Sequence, residues 1–441
     1  MNRITPRRVS LVAGAALLSG ALAAPSMPVA ATASGQGSAR ASIERVSVGH
    51  LGQEARLGEK FPERPAVSAH GRYATFVSLS PDLVPGDTNM TDDVFVRDRK
   101  ADKTTRVSVG AGGRQANDSS GEATISDHGR TVAFTSGATN LAGQDTNDTV
   151  DVFVRDLKAG VTRLASVGVD GRAGDGPSFF PDLSANGRYV AFQSVASNLV
   201  PGDTNGVEDA FVRDLRTGRT ERVSLLGRNE GQVAAGVEPH LSANGRLVLF
   251  QAVNSDEDAP LYVRDRATDT TRKLRIGRPG ITLASWTISG NGRYVAFTTD
   301  APLVGEDANG TFDAYRYDLA TGATKRVSVG SAGEQGNADS TTVDLSWNGR
   351  VVAFSSSASN LVAGDTNGLV DVFRRDLRSG TTRHVSVGIN GQQANGDSAF
   401  SRDLTISADG HHVAFGSFAT NLIPNDLNDL PDVFVWSHRK R

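Results

Sequence analysis

The chain of 441 residues contains no cysteine, which excludes disulfides, thiolate metal centres and a cysteine nucleophile. Aromatic residues make up only 6% of it, so any core has to be built mainly from small aliphatic side chains. Basic charge is short as well. The formal net charge is −3, and removal of an N-terminal leader carrying Arg3, Arg7 and Arg8 but no acid takes it to −6. A nucleic-acid partner, which needs a basic face, is therefore not expected. Long apolar runs are missing except for "VSLVAGAALLSGALAA" near the start, which is too short for a mature membrane span. With "MNRITPRR" before it and Ala31-Thr32-Ala33 after it, this run reads as a signal peptide over residues 1–33. A secreted or cell-envelope location without a membrane span follows, with residues 34–441 as one domain.

What the chain does have is repetition. A Ser-x-x-Gly phrase followed by an apolar strand recurs as "SAHGRYATF", "SDHGRTVAF", "SANGRYVAF", "SANGRLVLF", "SGNGRYVAF", "SWNGRVVAF" and "SADGHHVAF". The glycines Gly71, Gly129, Gly187, Gly245, Gly292, Gly349 and Gly410 are spaced by 58, 58, 58, 47, 57 and 61 residues. Short strands at such a period predict an all-β, seven-bladed β-propeller with four antiparallel strands per blade. The second strand is of the "RYVAF" type, the third "DVFVRD" and the fourth "TRVSV". One copy of the fourth, "IERVSVG" at 43–49, precedes every other strand, while the last unit stops at its third. The N-terminal strand is therefore expected to complete the last blade and close the ring.

Ser184 to Phe192, together with Asp209 to Asp214, resembles the repeat of the TolB-like, WD-repeat-like propellers, and the likeness extends over essentially all of residues 34–441. The resemblance implies the propeller fold. The chain has no room for TolB's additional α/β domain, so the resemblance does not carry TolB's role across.

Between second and third strands lies an Asp-x-Asn-x-x-x-Asp loop, present in six units. Its copies are Asp87/Asn89/Asp93, Asp145/Asn147/Asp151, Asp203/Asn205/Asp209, Asp307/Asn309/Asp313, Asp365/Asn367/Asp371 and Asp426/Asn428/Asp432. Two readings stand. As a metal site the three side chains would begin an oxygen shell for calcium, the one candidate cofactor, although Val207 and Leu369 occupy an EF-hand ligand position. As a turn, Asn and Asp close Asx turns on nearby amides, with the last Asp starting a strand. The fourth unit replaces the loop by "NSDEDAP" (254–260), so one notch is expected among six tall loops. Trp286 follows that notch and could either fill an inner strand or stack a ligand.

No nucleophile elbow, zinc-protease helix or phosphate loop is present. His70 and His128 sit in the Ser-x-x-Gly turns, and His411 and His412 flank a strand start. Arg97, Arg155, Arg213 and Arg264 of the third strands, with Arg106, Arg222 and Arg326 of the fourth, are expected to pair with acids on outer strands. The chain thus reads as a monomeric, non-enzymatic binding or scaffold propeller. Its partner would be a protein or a cell-envelope glycan on the long-loop face, with calcium stiffening the loops. The alternative is a carbohydrate-active hydrolase or lyase working in the channel.

Overall fold

The computed structural model describes residues 41–56, 64–225, 235–253, 259–277, 280–305, 307, 309–399 and 403–438. The expected leader at 1–33 and most of the shortened loop at 254–258 lie outside them. Seven four-stranded antiparallel sheets form the blades. Blade 1 runs from Ala66–Val67 to Lys103–Arg106, blade 2 from Ser120–Ile125 to Val161–Leu164, and blade 3 from Ser178–Leu183 to Arg219–Arg222. Blade 4 runs from Gly236–Leu241 to Thr270–Lys273, blade 5 from Leu283–Ile288 to Thr324–Arg326, and blade 6 from Ser340–Leu345 to Thr381–His384. In blade 7 the strands Leu404–Ile406, His412–Ser417 and Asp432–His438 are completed by Ala41–Arg45, which pairs with the last in the register Ile43↔Trp436. The ring closes as the leftover strand predicts. Among the described residues no helix is long and apolar enough to cross a membrane.

Each blade's sheet is covered on both faces, which explains the near-continuous apolar strands. The seven hydrophobic clusters each join two neighbouring blades, including blade 7 to blade 1. At their centres stand cross-strand aromatic pairs, one per blade. They are Phe76–Phe95, Phe134–Phe153, Phe192–Phe211, Phe250–Tyr262, Phe297–Tyr315, Phe354–Phe373 and Phe415–Phe434, with ring centroids 5.4 to 5.9 Å apart. About half of the scarce aromatics stand at these directly opposed positions, where cross-strand pairing stabilises a sheet most.

The Ser-x-x-Gly turns do two things. Their glycines take positive φ, and at Gly245 (φ 69°) a Cβ would lie 2.4 Å from the Tyr189 ring of the preceding blade. Their backbones also bond from blade to blade. The amides of Ala69, Asp127, Ala185, Ala243, Asn291, Trp347 and Asp409 donate to the carbonyls of Asp127, Ala185, Ala243, Gly290, Trp347, Ala408 and Ala69, at 2.8 to 3.2 Å. This closed belt circles one mouth of the channel.

Candidate functional site

The six Asp-x-Asn-x-x-x-Asp loops share one geometry, and it begins with the turn. Each asparagine side-chain oxygen accepts the amide two residues on, from Thr91, Thr149, Val207, Thr311, Leu369 and Leu430, at 3.1 to 3.4 Å. These are Asx turns. The last aspartate of each loop begins the third strand and is buried. It accepts the hydroxyl of a fourth-strand serine: Ser108 to Asp93, Ser166 to Asp151, Ser224 to Asp209, Ser328 to Asp313, Ser386 to Asp371 and Ser47 to Asp432. The fourth-strand serine, set between small aliphatic residues, therefore locks the loop, a pairing the sequence spells out but does not explain.

The first and last aspartates come together, and in five loops a base from the fourth strand lies against them. Arg106 Nη1 lies 3.1 Å from Asp87 and 3.3 Å from Asp93. Arg222 lies 2.8 Å from Asp203 and 3.4 Å from Asp209. Arg326 lies 3.4 Å from Asp307 and 3.2 Å from Asp313. Arg45 of the closing strand lies 3.3 Å from Asp426 and 3.0 Å from Asp432. In blade 6 His384 Nε2 stands 2.9 Å from Asp371. Arginines expected to meet acids on outer strands thus meet the loop aspartates instead, in buried rather than surface pairs. The third-strand arginines also differ from expectation. Arg97 and Arg264 reach the turn acids Asp102 and Asp269, whereas Arg155 and Arg213 bond Thr162 and Thr220.

Blade 2 has no such base. Leu164 pairs opposite Phe153 where Arg106 pairs opposite Phe95. Burial pushes the Asp151 carboxyl up to about 6, with the nearby Asp145 adding to it. Among the described residues no three or more His, Cys, Asp or Glu side chains gather around one point that could hold a metal.

The channel breaks the repeat more strongly. One tier of inward positions reads Ala66, Thr124, Asp182, His240, Thr287, Asp344 and Thr405. The tier above includes Arg64, Glu122, Phe180 and Glu238, the last three in positive-φ bulges (44°, 54° and 46°) that turn their inner strands at the same point. Together they line a cavity of about 270 Å³. Sequence reading missed these acids because each sits in an ordinary-looking inner strand. Their bonds are inter-blade ties. Asp182 accepts the Leu241 amide at 2.6 Å, Asp344 accepts the Ile406 amide at 2.8 Å, and Glu122 accepts the Phe180 amide at 2.7 Å. Trp286 is buried on the inner strand of blade 5, its indole N–H donating to the Glu238 carbonyl, so it fills core and does not face the notch.

Asp182 is half-buried in the channel wall, and burial pushes its carboxyl up to about 7 from an ordinary 3.8. The folded state then holds a proton that the unfolded chain releases between those values, so stability from this group rises as pH falls through about 7 toward 4. His412, pushed down to about 4 by burial, acts in the opposite sense below its ordinary 6.5. The test is therefore a difference. The gap in melting temperature between wild type and Asp182→Asn should change steeply across that window, and a gap independent of pH would refute it.

At the expected notch a second cavity, of about 810 Å³, opens between blades 4 and 5. Pro260, Leu261, Leu274, Ile276, Ile281 and Leu283 give it apolar walls, and the exposed Arg272, Lys273 and Arg275 give it a basic rim. It lies at the end of the blades from which the long loops project, because it is lined by the start of one third strand and the connection between two blades.

No family model matches the chain, and no curated protein matches it in sequence. Solved structures match in fold. Oligogalacturonate lyase from Vibrio parahaemolyticus is 10% identical, with 91% of this chain and 97% of that chain covered and a TM-score of 0.53. The β-propeller domain of the Trilobed protease from Pyrococcus furiosus, described as having an open velcro topology, is 10% identical over 88% and 95%, with a TM-score of 0.54. TolB from Acinetobacter baumannii is 12% identical over 91% and 97%, with a TM-score of 0.42. TolB is thus among the structural neighbours, and what the chain shares with the lyase and the protease domain is the β-propeller fold alone.

Proposed function

We propose that this protein is an exported, non-enzymatic binding propeller. Its ligand would be an acidic, partly apolar protein segment seated in the cleft between blades 4 and 5 on the long-loop face. The carrying observation is that this cleft is where the repeat loses its loop, and that it pairs apolar walls with Arg272, Lys273 and Arg275. The channel carboxylates, by contrast, already serve as ties between inner strands, which argues against a catalytic centre there. Apolar walls supply affinity and a charged rim supplies steering and salt dependence.

The test is titration of acidic amphipathic peptides, and of an anionic cell-envelope polysaccharide in parallel, against wild type and Arg272→Glu/Arg275→Glu. Peptide binding that weakens at least tenfold on charge reversal, about 1.4 kcal/mol, supports the reading. Peptide binding indifferent to the reversal, or binding of the polysaccharide alone, overturns it.

A second reading, hydrolase or lyase chemistry in the channel, is favoured by one observation. Asp182 and Asp344 line the same cavity, with carboxyls raised by burial to about 7 and about 6. Oligosaccharide cleavage lost in both Asp182→Asn and Asp344→Asn would support it.

A further inference from the structure

Blade 2 lacks more than its arginine. In blade 1 the side-chain amide of Gln115 donates to Asp87 at 2.6 Å, and in blade 5 Gln335 donates to Asp307 at 2.9 Å and to Asp313 at 2.8 Å. Gln115 and Gln335 occupy matching bridge positions (Val109↔Gln115, Val329↔Gln335), and blade 2 has Ala173 there (Val167↔Ala173). Two donors that answer the loop aspartates elsewhere are thus replaced in the same blade by Leu164 and Ala173, both buried in one apolar cluster. The aspartates themselves remain. Asp145 is only 6% exposed, and neither of its carboxylate oxygens has a hydrogen-bond partner. The Asn147 backbone amide is the nearest compensation, and exposed Asp148 adds negative charge. Asp151 is engaged by Ser166 on one oxygen and by the Asn147 amide on the other, at 2.8 Å.

Blade 1 shows what belongs in this place. The Arg106 guanidinium is surrounded by three oxygen sources: Asp87, Asp93 and, 3.2 Å from Nη2, the Gly86 carbonyl. The matching positions in blade 2 are Asp145, Asp151 and the Gln144 carbonyl, which also accepts the Ala173 amide at 3.2 Å and keeps a second lone pair. A leucine side chain ends well short of an arginine's terminal nitrogens, so it cannot supply the positive charge. Buried carboxylates left without a counter-charge are costly.

We propose that blade 2 binds one divalent cation of the calcium class through Asp145, Asp151 and the Gln144 carbonyl, water completing the shell, where the five other loop-bearing blades use a side-chain base. The all-oxygen donor set and double negative charge suit a hard cation. Asn147 keeps its turn bonds and is not a ligand. The site is independent of the cleft between blades 4 and 5, so either can fail alone.

The experiment is calorimetric titration of the protein with calcium, magnesium as control, together with melting curves in chelator and in millimolar calcium. Wild type should bind close to one equivalent of calcium and melt several degrees higher with it. Leu164→Arg, which restores blade 1's arrangement, should bind none and show no calcium-dependent shift. Asp145→Asn should also bind none, and it decides the matter should Leu164→Arg fail to fold. No binding at concentrations covering roughly 10⁻³ M affinities overturns the proposal. So does binding that survives both substitutions, or near six equivalents.

Discussion

Arg45→Met is expected to destabilise the propeller by about 3–5 kcal/mol, because it removes the base that faces a buried acidic group at the ring's seam. Arg45 lies on the closing strand and pairs with Glu54, Asp426 and Asp432, whose side chains are 23%, 0% and 2% exposed. Methionine keeps much of the arginine's stem, so packing is largely retained and the loss is of charge. Two aspartates would then be buried together without their cation, in the place where the first and last strands meet. Urea denaturation should show a lower midpoint with an unchanged slope. The triple variant Arg45→Met/Asp426→Asn/Asp432→Asn should recover a large part of the loss, since it removes the unpaired charges as well. By contrast Arg72→Ala, which breaks an exposed pair with Asp98, should leave the midpoint where it is. An Arg45→Met protein as stable as wild type would show that the seam does not depend on this cluster.

Phe192→Ala should cost a similar amount, about 3–5 kcal/mol, for a different reason. Phe192 is fully buried, stacks on Phe211 at 5.8 Å, and lies in the cluster that joins blade 3 to Ala133, Val152, Val154 and Ala165 of blade 2. Truncation leaves a cavity at an inter-blade interface whose two walls are rigid sheets, and sheets held in a closed ring cannot easily collapse inward. Phe192→Leu should restore most of the loss by refilling that space. Leu51→Ala, at a residue 82% exposed, should fall within about 0.5 kcal/mol of wild type. Chemical denaturation followed by circular dichroism measures all three. A Phe192→Ala loss no larger than that of Leu51→Ala would mean the aromatic pairs fill space without holding the blades together.

Much of this architecture was legible because a propeller is written locally. The seven Ser-x-x-Gly phrases mark seven strand pairs, and the unmatched "IERVSVG" pairs with Asp432–His438 as its surplus predicts. The turn role of Asn89, Asn147, Asn205, Asn309, Asn367 and Asn428 was legible too, since an Asx turn reaches only two residues along the chain. The notch was visible as a shortened spacing, but its apolar walls were not, because they come from two blades.

Other features depended on distance in space. Arg106 lies 19 residues beyond Asp87 on the outer strand, and whether its side chain reaches that loop or the opposite face is decided by strand register. In sequence the arginine suits any nearby acid. The channel acids are further from local reading: Asp182 finds its partner amide 59 residues away, at Leu241, one blade on.

The sequence by itself determined the number of blades, the strand that closes the ring and the turns between strands, because period and turn chemistry act over a few residues. The tertiary structure decided which charges meet. Only ring closure and sheet register bring a fourth-strand base against the loop aspartates in five blades and leave Leu164 beside them in the other. Only the curvature of the whole ring gathers Asp182, His240 and Asp344 around one channel.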